Sequence, residues 1–418
     1  MSGLRILYLH QHYSAPDGAT ATRSHAMASA LGARGHEVTL ACGRYGGART
    51  GLSAPFRGGR REGRGTGPFR VVEFDIPCAN AQPLRRRSAA FLRYAGRATG
   101  LALRGGWDVV IASSTPLTVA LPALAAHRLR GTPFVFEIRD PWPELPRAMG
   151  AGPRWALAGM ERLADAACRS AAAVVALTEG MAGTALSRGA HPARVRVVPN
   201  GCDLDLFGPQ LAPWRPPEAA PWERLAVYAG AHGLANGLEA LLDAAAELQR
   251  RGRHDIRLLL VGEGSEKTRL VAEAAGRGLL NVTFLDPLPK RRLAGLLAGS
   301  QIVLHCLADV PAFAEWTAPN KLMDGLAAGR PVVSNVPGRA ARILQDGPSG
   351  IAVPPGDAPA LADALSRLAE DRPLREAMGE AGRLQAVRRW DRRLQARHFC
   401  EVVEAAAQAA PVPGLAIA

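Results

Sequence analysis

Lysine is nearly missing from this chain of 418 residues: of its 51 basic side chains only Lys267, Lys290 and Lys321 are lysines. The rest are arginines, a skew that GC-rich coding explains, so a lysine inside a motif carries weight. Aromatic residues make up only 5%. The six cysteines (Cys42, Cys78, Cys168, Cys202, Cys306, Cys400) are scattered, with no C-x-x-C pair and no Cys/His cluster. That excludes a thiolate metal site and a disulfide framework, and it points to a reducing compartment. No apolar run reaches the ~18 residues needed to cross a bilayer, because arginine or proline interrupts each one. The opening MSGLRILYLHQHY has one early arginine and a short apolar stretch that runs into polar residues, which predicts a buried first strand and not a signal peptide. A cytoplasmic protein is expected. What is present is ordinary for a globular chain: 48% hydrophobic and 21% charged residues exclude global disorder. The length suits two or three domains at ~100–200 residues each.

The formal net charge of +14 is unevenly placed, lying wholly within residues 1–200. Residues 44–104 hold 13 arginines against Glu62, Glu73 and Asp75. Nucleic acid is the first partner to consider for such a patch. The stretch has few aromatics and no helix-turn-helix, zinc-finger or RRM signature, so nucleic acid is not the expected partner. An anionic membrane surface or a phosphorylated substrate fits the charge, as does a solvated arginine-rich loop.

Short apolar runs alternate with alanine-rich helical patterns. Strands are expected over 4–9, 37–41, 70–74, 109–112, 134–138, 173–176 and 195–198. Helices are expected over 20–33, 85–103, 117–130 and 154–172. The proline-dense stretch 207–222 breaks the pattern and reads as a linker. The alternation then restarts, with strands over 225–228, 257–261, 282–285, 302–305 and 331–334. Helices are expected over 238–251, 270–277, 290–298, 319–328, 359–370 and 372–407. Strands separated by helices mean a parallel sheet with crossover connections. The reading is α/β, with two doubly wound units and a ligand cleft between them. Its boundaries are an N-terminal domain 1–206, a linker 207–222, a C-terminal domain 223–386 and a closing helix and tail 387–418. That helix is expected to return to the N-terminal domain.

The segment TAPNKLMDGLAAGRPVV (317–333) carries the strongest chemistry. Thr317 reads as an N-cap, Pro319 suits the first turn, and Gly329 ends the helix before Pro331 starts a strand. A helix N-terminus offers amides and a positive dipole end to a phosphate. Lys321 lies in that first turn, and Asp324 follows at i+3, about 4.5 Å along the axis. A cation for a diphosphate and an acceptor-only carboxylate for ribose hydroxyls are the expected roles; a surface ion pair is the bland alternative. Gly262-Glu263-Gly264 follows a strand but lacks the third glycine of the dinucleotide fingerprint.

These segments together resemble the GT-B glycosyltransferases of the retaining family 4, in particular the WbuB-type aminosugar transferase branch. The resemblance is carried by SAPDGATATRSHAMASALGARGHEVTL (14–40), RDPWPE (139–144) and VVPNGCDLDLF (197–207). It continues through YAGAHGLANGLEALLDAA (228–245), LLVGEGSEKTRL (259–270), NVTFLDPLP (281–289) and APNKLMDGLAAGRPVV (318–333). It implies two Rossmann-like domains facing a central cleft, with a nucleoside-diphosphate sugar as co-substrate in the second and the acceptor in the first. No cofactor and no metal are expected.

Asp324 falls where the family holds the ribose. Its usual partner acid is replaced by Trp316, with Glu315 one place off. The family's Arg/Lys pair after the first strand of the second domain is absent; His232 and Asn236 stand there. Pro319, Asn320, Lys321, Gly262, Gly264 and Leu285 complete the implied donor set, with Phe284 beside Leu285. For the acceptor the resemblance implies Gly18, Thr20, Arg23, His25 and Glu144. For catalysis it implies Asp140 and Arg139 together with Lys321. Asp203-Leu204-Asp205 imitates a metal motif but lies in the connector.

The expected function is bacterial and retaining: transfer of a sugar, an N-acetylated aminosugar among the options, to a lipid-linked saccharide or polyprenyl phosphate in surface polysaccharide assembly. The basic first half fits peripheral contact with an anionic membrane through residues 85–103, with Phe91, Leu92 and Leu101 toward the lipid. A soluble natural-product acceptor, a nucleotide-sugar 2-epimerase and a non-enzymatic basic binding protein are the alternatives.

Overall fold

The computed structural model describes residues 3–18, 22–79, 82–150, 152–208 and 210–409. Two compact units divide the chain: residues 1–199 with 393–418, and residues 200–392.

In the first unit the strands are β1 (Arg5–Leu9), β2 (Glu37–Tyr45), β3 (Arg60–Arg64), β4 (Arg70–Cys78), β5 (Val109–Ser113), β6 (Phe134–Ile138), β7 (Ala173–Ala176) and β8 (Val195–Val197). They form one sheet in the order β3-β4-β2-β1-β5-β6-β7-β8. All neighbours pair in parallel except β3, which runs antiparallel to β4. The central strands are apolar end to end because helices cover both faces: Ile6–Leu9 and Val109–Ala112 are fully buried. Strand β3, RREGR, shows no apolar face and was not expected; at a sheet edge its charges discourage pairing with another chain. The helix Arg392–Gln408 inserts Phe399, Cys400 and Val403 among Tyr8, Val38, Ile111 and Val175. The last segment of the sequence therefore completes the core of the first unit.

In the second unit the strands are β9 (Arg224–Ala229), β10 (Ile256–Val261), β11 (Val282–Leu285), β12 (Ile302–His305), β13 (Val332–Ser334) and β14 (Gly350–Ala352). The order β11-β10-β9-β12-β13-β14 is parallel throughout, the 3-2-1-4-5-6 arrangement of a dinucleotide-binding sheet. Chain direction across the sheet reverses between β9 and β12 here, and between β1 and β5 in the first unit. Ligands of such sheets bind outside the carboxyl ends of the strands at these reversal points.

Three expectations change. The proline-dense segment 207–222 is not a free linker: Phe207 and Ala219 are buried with Leu225 and Leu259, and Trp214 packs beside them. The Trp214 N–H donates to the Gly295 carbonyl at 2.8 Å, and Arg292 lies 4.3 Å over its ring. The units divide instead at Pro199/Asn200 and Arg392/Arg393. Nor is the end of the chain one helix. It breaks between Arg372–Arg389 and Arg392–Gln408, where Trp390 accepts from the Cys202 N–H at 2.7 Å and Cys202 accepts from the Arg392 N–H at 3.0 Å. Finally, in helix Leu84–Arg104 Phe91 is buried in the protein, whereas Leu92 is 60% exposed. No described helix is long and apolar enough to cross a membrane.

Candidate functional site

The carboxyl ends of β9, β10 and β12 bring one cluster together. After β9, Gly230 has no side chain, and a Cβ there would sit 1.9 Å from Cε of Lys321. The absence of a side chain at Gly230 leaves that spot to the lysine stem. The Lys321 ammonium then rests 4.9 Å over the Tyr228 ring, whose hydroxyl donates to the Ala231 carbonyl at 2.8 Å. Burial lowers the Lys321 pKa to about 8. Among the described residues no carboxylate pairs with it.

His232 is 0% exposed, and neither ring nitrogen has a hydrogen-bond partner. Its ring lies 6.0 Å from Tyr228 and 6.1 Å from Phe284. Burial, reinforced by the charge of Lys267, lowers its pKa to about 4. A buried imidazole with no partner costs free energy unless something else supplies one, so this ring is the best mark of a ligand in the unit. His305, buried at the end of β12, bonds the Ser334 hydroxyl at 2.9 Å. Burial and then the charge of Lys321 drive its pKa to about 3.

The glycines expected to line a donor act one step back. A Cβ on Gly262 would lie 1.9 Å from the Gly230 carbonyl oxygen, and one on Gly264 would lie 2.2 Å from that of His232. Both let the β10 turn press on the loop that carries His232. The Leu285 carbonyl accepts the Gly262 N–H at 3.0 Å, so it serves the sheet. Asn236 caps a turn, its Oδ1 accepting from the Gly233 N–H at 3.4 Å. Lys267 is neutralised by Glu263 at 2.8 Å and Asp286 at 2.7 Å.

The helix of the 317–333 motif runs Asn320–Ala327, with buried Pro319 in the N-cap position and no side-chain cap. The correction is to Thr317, whose hydroxyl donates to the Phe313 carbonyl at 2.5 Å. The amides left over by helix geometry point out of this N-terminus. Asp324 does not meet Lys321. It is nearly buried, burial raises its pKa, and the charges acting on it are those of Lys290, Arg392 and Asp203. The long lysine stem turns toward Tyr228, while the short carboxylate stays on its own side of the helix. Glu315 pairs with Arg342 at 2.9 Å on the surface. Asp203 accepts from Arg392 at 2.6 Å, a structural tie.

In the first unit the end of β1 carries His10 and the end of β6 carries Arg139. Arg139 donates to His10 Nε2 at 2.7 Å, which leaves the proton on Nδ1 to donate to Ser24 Oγ at 2.8 Å. Burial and then the Arg139 charge keep His10 neutral, its pKa well below the usual value. The Arg139 amide donates to Ser114 Oγ at 3.1 Å, and the exposed Asp140 accepts from the Thr115 hydroxyl at 2.7 Å. Arg139, Asp140, Ser114 and Thr115 thus gather at the β1/β5 reversal.

The other residues expected at the acceptor divide. Arg23 is 1% exposed and bonded inward, to Glu137 at 2.9 Å and to the carbonyls of Pro199 at 2.6 Å and Val198 at 2.9 Å. Glu137 also accepts from Ser113 at 2.5 Å and Tyr8 at 3.3 Å. Burial alone would raise the Glu137 pKa, yet Arg23 and Arg139 hold it below the usual value. This network is structural, and Arg23 has no face for a substrate. Glu144 is taken by Arg188 at 2.5 Å, which also holds Asp165 at 2.6 Å. His25 bonds the Tyr13 hydroxyl at 3.1 Å against Phe69. Gly18 makes a turn whose Cβ would collide with Ser14 Oγ at 2.1 Å. Thr20 lies outside the described residues. Gly230, Tyr228, His305, His10 and Thr115 were not expected. Only the glycine after a strand end, and histidines closing apolar runs, could have signalled them.

Known proteins match both units. Residues 18–201 fit the family model described as glycosyl transferase 4-like domain, and residues 223–371 fit the one described as glycosyl transferases group 1. Alpha-D-kanosaminyltransferase of Streptomyces kanamyceticus is 30% identical over 158 residues, 37% of this chain and 39% of that one. Phosphatidyl-myo-inositol mannosyltransferase of Mycobacterium leprae is 30% identical over 214 residues, 50% of this chain and 53% of its own length. The chain thus spans about half the length of these relatives or less. Anabaena HepE, solved in complex with UDP-glucose, shares the fold at a TM-score of 0.66 and 18% identity, covering 96% of this chain and 99% of that one.

Proposed function

We propose that this chain, a GT-B protein of the family 4 glycosyltransferase type, moves a sugar from a nucleoside diphosphate to an acceptor hydroxyl with retention of anomeric configuration. One observation carries the reading: a half-buried ammonium without a carboxylate, Lys321, beside a fully buried imidazole without a partner, His232. Both sit at the chain reversal of a 3-2-1-4-5-6 sheet. As the glycosidic bond breaks, the leaving diphosphate gains negative charge. Lys321 and the N-terminus of helix Asn320–Ala327 would meet that charge with positive potential fixed in place beforehand. His232, neutral at pH 7, donates one hydrogen bond to a phosphate oxygen. Asp324, one turn along the same helix, is the candidate for the ribose hydroxyls. Asp140, already accepting from Thr115, orients the acceptor hydroxyl, and Arg139 holds its backbone turn.

The acceptor is proposed to be a lipid-linked saccharide or polyprenyl phosphate in surface polysaccharide assembly, met at an anionic membrane. Leu92, 60% exposed, lies on the helix Leu84–Arg104 with Arg85, Arg86, Arg93 and Arg97, a combination suited to a lipid face. The kanosaminyltransferase likeness favours the second reading, a soluble natural-product acceptor. Calorimetry with UDP-, GDP- and dTDP-sugars tests the donor half: one of them should bind, and should lose affinity in Lys321→Ala. If none binds, the proposal fails. Product NMR gives the anomeric outcome, and incubation without acceptor would reveal an epimerase.

A further inference from the structure

A second set of polar groups with unused hydrogen-bonding capacity lies in the first unit, beside the network of Arg23. Gln11 follows β1 and is 0% exposed, yet neither amide atom has a hydrogen-bond partner. Its backbone carbonyl accepts from the N–H of Gly43, within β2, at 3.0 Å, which ties the segment after β1 to that strand. Next to it the His12 ring lies 4.4 Å from Tyr45 and 5.9 Å from Phe91. Arg87, on helix Leu84–Arg104, stands 5.8 Å over that same Phe91 ring. Its Nε is sealed from solvent and also without a partner. On the other flank the His10 ring, 6.5 Å from His12, accepts from Arg139. The two arginines therefore bracket one aromatic wall, and their positive charges, after burial, keep His12 neutral with a pKa of about 3. Among the described residues no carboxylate pairs with either arginine. Glu137, which Arg139 reaches electrostatically, is gripped by Arg23, and Asp140 is engaged by Thr115.

Two arginines without acids, a buried primary amide with four unused hydrogen-bonding positions and a neutral imidazole make a poor packing arrangement and a good anion receptor. From this juxtaposition we infer that Arg87, Gln11, His12 and Arg139 form a subsite for a phosphate group of the acceptor, distinct from the donor diphosphate held by Lys321. The inference rests on the transferase reading and specifies its acceptor: the molecule receiving the sugar carries a phosphate ester. A soluble sugar phosphate and a lipid phosphate share that chemistry. Arg87 lies on the same helix as the exposed Leu92, so either source reaches the subsite.

The test is calorimetry at ~150 mM salt with glucose 6-phosphate and farnesyl phosphate, each against its unphosphorylated partner, glucose or farnesol. At least one phosphate should bind where its partner does not, and which one does so distinguishes the soluble from the lipid source. Arg87→Ala and Arg139→Ala should each weaken that binding tenfold or more, Arg87→Lys should recover part of it, and Lys321→Ala should leave it within twofold. Gln11→Leu separates recognition from packing. Removing an unsatisfied buried amide should raise the melting temperature by about 2–4 °C while phosphate affinity falls. No phosphate binding, binding insensitive to Arg87→Ala, or binding abolished by Lys321→Ala instead would overturn the inference. Nucleotide-sugar affinity, measured on the same samples, reports on the donor reading separately.

Discussion

Each unit offers one conspicuous cation in the first turn of a helix, and the two are treated in opposite ways. In the first, the Arg23 guanidinium is bonded to a carboxylate and two carbonyls and never sees solvent. In the second, the Lys321 ammonium has a ring beneath it and, among the described residues, no acid paired with it. A charge whose bonds are complete holds the fold, and one whose bonds are incomplete awaits something. Residue type and position alone do not separate the cases, because both cations sit in the first turn of a helix after a loop.

The sharpest way to break this contrast is Arg23→Met. It strands the buried Glu137 and should remove ~3–5 kcal/mol of stability, read as an early urea transition, with donor affinity unchanged in whatever folds. If activity were lost at full stability, Arg23 would be a substrate ligand after all. Lys321→Ala should do the reverse, lowering kcat/KM by ~10²–10³ with little change in melting.

Acidity sharpens the contrast further. His12 and His305, with pKa values of about 3, and His232, with one of about 4, are buried neutral. Their folded values lie below the unfolded value near 6.5, so their stabilising contribution is complete above that pH. It declines on acidification toward about 3–4, at up to ~1.4 kcal/mol per pH unit for each group. Urea titrations between pH 7 and 4 should show this, and His305→Asn should flatten the slope. For Lys321 the sign concerns binding. With its pKa at about 8, donor affinity should hold below that pH and fall as pH rises through it; a flat profile from pH 7 to 9 would remove the lysine from the diphosphate. The smallest effect expected is His232→Phe, roughly a tenfold loss in donor affinity (~1.4 kcal/mol) at equal or higher stability.

Much of the architecture was legible because its signal is periodic. The central strands are short apolar runs between helical patterns, and buried parallel strands have to read that way. Strand β3 was illegible for the complementary reason: an edge strand of arginines carries no apolar face. The segment 207–222 misled because proline density marks irregular backbone and not exposure, and Trp214 and Phe207 supply the packing that prolines do not reveal. At the site, Lys321 stood out by rarity. His232 was visible as a residue, but its missing partners became apparent only once the fold closed around it. Arg23 misled most, since a first-turn arginine on an amphipathic helix gives no sign that a glutamate more than a hundred residues later will reach it.

The helix Arg392–Gln408 makes the first unit discontinuous in sequence. Its core lacks Phe399 and Val403 until the whole of the second unit has been translated. At ~5–20 residues per second, the nascent first half waits about 10–40 s while roughly 190 intervening residues emerge. The second unit, encoded without interruption, is free to fold earlier. Clipping the final two dozen residues would therefore damage the half of the protein made first.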